Sequence, residues 1–478
     1  MKAFESFHGN SKISELERGG SIMLQRKSWL LLPMVMLFSL MAINQAIGWS
    51  LKEAAKPYKG TTVYVLINHH RMYEYSEPYI PEFERETGIK VNVELLTRRT
   101  MNTKQEFELG SNTAAYDLMY TSTAQNARYL NAEWCTPLND FMNNPQLADP
   151  TYDHEDFMEA AGETFVQDGV IYGLPWGIET QTYCYRTDIF EKYGIPGPPK
   201  TYQDLENVSK KIHTKEIPAI SLRAKPGQYL NIFVWPLFLW GFGGRWFSED
   251  LKPLLNSEAA IKATEFYSKL LQNWGPEGYS SYIHYEIRND FQTGKLASFI
   301  DADGLTMGFN DPELSNVIDK WAVAPIPVPP DGIFAPNPYS QGMFMAYDAP
   351  NKEAAFLFMQ WYTSKEMERR RTFDHLGKIV TRKSVRFTPE WMEKYSKNNF
   401  ASAVRYSLEH SFPYVVPAPW LPEYNEIGDR LGIAVQEVLI GEKTAKEALD
   451  EVNEEIYLFM RLGGYYKRGM KNPNKVGL

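Results

Sequence analysis

Cysteine is scarce: Cys135 and Cys184 are the only two in a chain of 478 residues. That excludes a disulfide-stapled scaffold and leaves room for at most one bridge, which requires Cα atoms within bonding range. The other reading is two buried apolar thiols. Neither cysteine has the spacing of a metal site, and the chain calls for no cofactor. Basic charge is also short. The net charge is −9, and residues 1–48 carry five basic and three acidic groups, so the remainder stands near −11. A nucleic-acid partner would want a basic face, so none is expected. Fixed repeats and low-complexity tracts are absent, which excludes a solenoid.

Long apolar runs are missing after Trp49. The one such run, Trp29 to Ala42, falls short of the ~20 residues needed to span a membrane. Arg26 and Lys27 precede it, and a small-residue site near Ala46-Ile47-Gly48 follows. This is the pattern of a cleavable secretory signal over residues 1–48, with Met23 the start that fits it best. No cysteine stands at the cleavage site, so lipid attachment is not expected. What remains is long enough for two or three domains.

The opening of the mature chain alternates strand and helix. Thr61 to Ile67 is β-branched and apolar, the signature of a buried parallel strand. Asn68-His69-His70-Arg71 follows at its carboxyl end. Tyr79, Ile80 and Phe83 lie at helical spacing and Gly88 ends the helix. Val91 to Leu95 is a second strand, Thr103 to Leu109 a helix, and Tyr116 to Tyr120 a third strand. This rhythm predicts a doubly wound α/β layer. Ligands sit at the carboxyl ends of such strands, so Asn68 to Tyr73 and Thr121-Ser122-Thr123 are the loops of interest. Further on, Thr201 and Asp204 have the spacing of a capping box. Ala219 to Leu222 and Lys295 to Ile300 read as strands. Phe233 to Leu239, Ser257 to Asn273, Tyr285 to Thr293, Ala354 to Thr363, Asn425 to Gly441 and Thr444 to Phe459 read as helices. Phe344 to Tyr347 reads as a returning strand.

The segment Leu174 to Phe190 sets a Pro175-Trp176-Gly177 turn beside Glu179, then a short strand and a helix start. Phe83 to Val93, Gly294 to Ile300 and Ala349 to Ala355 stand before and after it. In this order the motifs resemble the extracellular solute-binding proteins of bacterial ABC importers, the family that includes the maltose-binding proteins. The resemblance covers nearly the whole mature chain, and the order of motifs, each loose alone, makes it specific. It implies a type II periplasmic-binding fold: two lobes, each a doubly wound sheet flanked by helices, with a ligand cleft between. Lobe one is expected from residues 58–177 and 326–371. Lobe two is expected from 178–325 and 372–465, and 466–478 form a tail. The implied role is capture of a neutral sugar, oligosaccharide or polyol by hinge closure and delivery to inner-membrane permease subunits, by a periplasmic monomer that is not an enzyme.

A sugar ring offers apolar faces for aromatic stacking and a rim of hydroxyls for carboxylates and amides. Candidate ligand residues are therefore Asn68, His69 and Arg71 after the first strand, Thr121 and Ser122 after the third, and Trp176 and Glu179 at the first crossover. Trp240 joins them from Leu239-Trp240-Gly241, Asp301 and Asp303 after a buried strand, Tyr339 and Gln341 before the returning strand, and Trp420 before a late helix. Each has a plainer reading: hinge packing for Trp176, second-lobe core for Trp240, a turn residue for Asp303, a helix staple for Trp420. The family often has an aromatic shortly after the strand ending near Ile300; Leu305 and Met307 stand here instead, which shifts weight to the aspartates. Adjacent histidines cannot point the same way from an extended chain, so His69 and His70 make a poor metal clip. Arg71 is expected to grip an anion or to orient Glu179 or Asp301. Two other readings stay open. One is an anionic or other solute (sugar phosphate, amino acid, peptide), held by Arg71 or by Arg98 and Arg99. The other is a glycosidase using Glu179 with Asp301 or Asp303.

Overall fold

The computed structural model describes residues 48–411 and 421–467. The signal-peptide reading and Trp420 lie outside these residues. From Leu51 the chain forms one compact unit. Among the described residues no helix is long and apolar enough to cross a membrane.

The first half builds a five-stranded sheet. β1 (Thr62–Asn68) carries Val63, Val65, Leu66 and Ile67 into the core. α1 (Ile80–Thr87) stops at Gly88, whose φ of 73° only glycine adopts without strain and whose N–H reaches Glu84. β2 is Lys90–Leu96. α2 (Arg98–Ser111) starts five residues before its expected first turn, because the Thr97 hydroxyl caps the Thr100 N–H. β3 (Leu118–Ser122) is shifted two residues on. The cause is Asp117, whose buried carboxylate accepts the Tyr64 and Asn351 N–H groups and ties down the strand's entry. Thr121 and Ser122 thus belong to the strand.

β4 (Gly173–Glu179) and β5 (Gln181–Arg186) follow each other with only Thr180 between. Pro175-Trp176-Gly177, expected as a turn, lies inside β4. Two facts reconcile proline with a strand: β4 is an edge strand, and it carries a bulge at Trp176, since Gln341 faces Gly177 while Gly342 faces Pro175. A Cβ at position 177 would meet Ile379 Cδ1 at 2.6 Å, so any larger residue there would have to displace that methyl.

The second half supplies α3 (Tyr202–Ile212), α4 (Asn231–Gly241), α5 (Glu258–Trp274), α6 (His284–Gln292), β6 (Ser298–Ala302), β7 (Trp321–Ala324), β8 (Tyr339–Met345), α7 (Lys352–Tyr362), α8 (Tyr424–Leu439) and α9 (Ala445–Leu462). The Thr201–Asp204 capping box is present, and Thr444 forms another with Glu447. β8 begins five residues earlier than expected, so Tyr339 and Gln341 are strand residues. Ala219 to Leu222 makes only one parallel bridge, Ser221 to Phe299. The Ala219 and Ile220 N–H groups go to the Trp274 carbonyl, and the Ala219 carbonyl accepts from the Ser298 hydroxyl.

The larger sheet has the order β2-β1-β3-β8-β4, parallel across β2, β1 and β3 and antiparallel around β8. The smaller has the order β6-β5-β7, both pairs antiparallel. Each sheet has its own apolar core. Cys135 lies in one and Cys184 in the other, both as free thiols. Three segments cross between the lobes: Thr180, residues 325–338 and residues 374–388. The third is shared, since Ile379 packs in the first core and Val380 in the second.

Candidate functional site

The topology brings four strand ends to one edge. Asn68 closes β1 and Ser122 closes β3, while Tyr339 opens β8 opposite Glu179 at the end of β4. Asp301, near the end of β6, faces Thr182 just across the hinge. The edge is where an open α/β sheet places its ligand.

His70 is the inward residue of the His69-His70 pair. It caps the short helix Arg71–Glu74, its Nδ1 accepting the Met72 N–H at 3.1 Å, so the neutral ring carries its proton on Nε2. Its ring meets Trp176 edge-on at 5.0 Å. Burial, then the charges of Arg98 and Arg288, lower its pKa to about 3. His69 is exposed. Asn68 is buried, its amide donating to the His69 carbonyl at 2.9 Å and its Oδ1 unpartnered.

Arg98 follows from the early start of α2. Its guanidinium lies 4.0 Å from the centre of the Tyr120 ring and 5.7 Å from that of Tyr229, so it is stacked between the two lobes. Tyr120 OH donates to Gln341 Oε1 (3.3 Å), and Gln341 Nε2 donates to Glu179 Oε2 (2.9 Å). This chain of bonds fixes the amide's orientation. Burial, then the charge of Asp303, push Glu179 up to about 7, with Arg223 and Arg288 opposing. Tyr339 OH donates to Ser122 Oγ at 2.7 Å, which donates onward to Gln125. Thr121 is buried with its hydroxyl unpartnered.

From the second lobe, Arg223 and Asp301 form a buried two-pronged pair, Nε to Oδ2 at 2.8 Å and Nη2 to Oδ1 at 2.6 Å. The guanidinium lies over Phe233 at 3.9 Å and donates to the Tyr229 carbonyl. Asp301 is therefore an anchor for Arg223. Arg71, expected to orient Asp301 or Glu179, has its ion pair with Glu74 instead, at 3.8 Å. Asp303 is a hinge clamp. It accepts the Thr180 N–H and returns its own N–H to the Thr180 carbonyl, with Arg386 at 3.6 Å. Burial pushes its carboxyl up to about 6. His284 and Arg288 of α6 complete the wall. Burial, then Arg223, Arg288, Arg98 and His70, hold His284 well below the ordinary imidazole range.

Of the expected tryptophan platforms, the two within the described residues are core side chains. Trp176 is 1% exposed and packs in the first core, and Trp240 is buried in α4 within the second. Trp246 also joins the second core, edge-on to Trp235. His70, Arg223, Tyr229, His284 and Arg288 were not among the sequence candidates. For His70 the signal was the alternation that turns His69 out. Arg223 stands directly after the expected strand Ala219 to Leu222, at the kind of strand end that was followed elsewhere; Tyr229, His284 and Arg288 lie on helices and loops distant in sequence from the strand ends, and no local signal marked them.

Gly304 makes room for the carboxylate of Glu179: a Cβ built there would overlap Oε1. Gly304→Ala is expected to swing Glu179 off Gln341 while leaving stability within about 1 kcal/mol, because the end of a flexible side chain yields easily. Ligand titration should then weaken about tenfold, with urea unfolding little changed.

Two lobes that enclose a polar cleft at strand ends, joined by three crossings, define a hinged ligand-binding protein. Residues 68–369 match the profile of the bacterial extracellular solute-binding proteins, and the chain belongs to that family. It is 24% identical over 326 residues to an erythritol/L-threitol-binding protein of Mycolicibacterium smegmatis, covering 64% of this chain and 67% of that one. It is 27% identical over 339 residues to a mannitol-binding protein of Pseudomonas aeruginosa, covering 66% and 75%. A solute-binding protein of Agrobacterium radiobacter solved with ribitol superposes with a TM-score of 0.76 at 25% identity, covering 84% of this chain and 99% of that one.

Proposed function

We propose that the protein is the substrate-binding component of an ABC import system, secreted through the N-terminal signal and working as a monomer in the periplasm. It captures a sugar or polyol between its lobes and presents the closed form to the permease. The first lobe comprises residues 58–179 with 339–373 and the second 181–324 with 389–465, the segments between them crossing over, so the bounds expected from the sequence shift by a few residues at each crossing. The relatives that bind erythritol or threitol, mannitol and ribitol support a polyhydroxylated ligand.

One observation carries the reading. Arg98 Nη1, Trp176 Nε1, Tyr229 Oη, His284 Nδ1 and Arg288 Nε are buried and without hydrogen-bond partners among the described residues. Groups of this kind are normally paired, and leaving them so is costly. They gather around one cleft, and a hydroxylated ligand supplies what they lack. The ligand residues proposed from the sequence that border it are Asn68, Arg71, Thr121, Ser122, Glu179, Tyr339 and Gln341, with Trp176 beneath and Asp301 behind. Closure follows because the ligand contacts both lobes only in the closed state.

A glycosidase reading needs a second carboxylate that can reach the ligand. Asp301 is held at both oxygens by Arg223, and Asp303 is buried against Thr180. Both arrangements favour binding without catalysis.

The test is thermal unfolding of the chain from Trp49, stripped of bound ligand, against sugars, polyols and their acids. A true ligand at ~100 times its Kd is expected to add about 2.7 kcal/mol. Absence of any shift across the panel would overturn the proposal.

A further inference from the structure

Every strand of the larger sheet ends in a contact with the other lobe. At the hinge edge, the Glu179 carboxylate of β4 lies against Gly304, so closely that a Cβ there would overlap Oε1. Tyr339 of β8 meets Phe233 of α4 edge-on at 5.6 Å. Beyond β3, Ala124 packs into the second core and Arg128 reaches Glu426 of α8 at 2.5 Å. Beyond β1, Arg71 Nη2 lies 4.0 Å from where a Gly308 Cβ would stand. After β2, at the edge farthest from the hinge, Arg98 stacks towards Tyr229 of the second lobe.

Two of these contacts are ends of one continuous row. The Arg98 guanidinium covers the Tyr120 ring of β3 at 4.0 Å, Tyr120 OH donates to Gln341 of β8, and Gln341 donates to Glu179 of β4. Only β8 separates β3 from β4, so the row spans two strand spacings, about 10 Å. Polar atoms without partners among the described residues stand on the same strands and at the stack: Trp176 Nε1, the Thr121 hydroxyl, Arg98 Nη1 and the Tyr229 hydroxyl. Donors and acceptors are both among them, as hydroxyl groups require. Lobe contacts at such close intervals leave no open end through which a chain of sugar rings could run.

We infer that the protein takes one short polyhydroxylated unit, an open-chain polyol or a single sugar ring, enclosed whole between the lobes, and that the Arg98–Tyr229 stack is the element that excludes a second ring. The inference rests on the reading of the cleft as the ligand site and adds the ligand's length. Selection then works by obstruction. A longer sugar holds the lobes apart at Tyr229 and forfeits the contacts that only the closed state makes.

The test is calorimetric titration of the stripped mature chain with matched pairs that differ by one glucosyl ring: glucitol with maltitol, mannitol with 1-O-glucosyl-mannitol, and glucose with maltose. The smaller member of at least one pair is expected to bind about 100-fold tighter than its extended partner. Tyr229→Ala removes the outer ring of the stack but keeps the backbone carbonyl that Arg223 donates to. It should weaken the smaller ligand and cut the preference to about tenfold or less. An unchanged preference in that variant would overturn the role of the stack. Extended members binding as well as the smaller ones, or better, would overturn the length limit while leaving the solute-binding reading intact. Binding of none of the six would overturn both. The pairwise comparison uses the unaltered protein, so it decides the length limit even if the variant folds poorly.

Discussion

Asp301→Ala is expected to destabilise the protein by about 3–5 kcal/mol and to weaken ligand binding about 100-fold. Asp301 is fully buried, and both of its oxygens are engaged by Arg223. Alanine leaves the guanidinium in place over Phe233, still donating to the Tyr229 carbonyl, with no counter-charge. The penalty is that of an uncompensated buried cation. Urea unfolding followed by fluorescence and by circular dichroism measures the first effect, and titration the second. The double variant Arg223→Met/Asp301→Leu separates the roles. It removes both charges and fills the space, so it should recover most of the lost stability. Binding should stay weak, because Arg223 shapes the cleft wall through Tyr229. If the single variant unfolds like the wild type, the pair is not the anchor described here.

The order of strands and helices was legible in the sequence wherever a local rule decides the outcome. The β-branched run of β1 has nowhere to go but a buried strand. Gly88 stops its helix because of its φ, and Thr201 with Asp204 starts another because the two side chains satisfy each other's backbone. The site was legible as a place more than as a set of side chains. Strand ends at Asn68, Ser122, Tyr339 and Glu179 do converge. Yet which of His69 and His70 faces inward depends on one residue of phase at a strand's end, which the His70 cap settles. Arg98 was expected as part of a basic pair outside any helix, until Thr97 is seen to start α2 early.

Partners far apart in sequence were not legible at all. Asp301 was expected to meet a ligand or Arg71; it meets Arg223 through a fold that joins residues 78 positions apart. The tryptophans misled for a related reason. A large aromatic beside proline and glycine looks like an exposed loop platform. Burial of so much apolar surface is worth more to a core than to a ligand, and Trp176 and Trp240 both took that course.

Trp176→Ala is the sharpest check on that last point. The side chain sits on the bulge of β4, 1% exposed, edge-on to His70, with Tyr120 at 6.2 Å and Tyr362 at 6.4 Å. No ring face is free for a ligand. Alanine would open a cavity under the cleft and cost about 3–5 kcal/mol. His70 and Tyr120, the groups that rest on the ring, would lose their support, so affinity should fall together with stability. Trp176→Phe distinguishes a floor from a stacking platform. It keeps an aromatic ring in the core and removes an indole N–H that has no protein partner. Deleting an unpaired buried donor offsets part of the packing lost with the smaller ring, so stability should stay within about 1 kcal/mol of the wild type. If the indole N–H meets the ligand, titration will show about a tenfold loss, close to the 1.4 kcal/mol of a single hydrogen bond. A stacking platform would behave otherwise: phenylalanine would retain nearly full affinity, and alanine would lose binding with little change in unfolding.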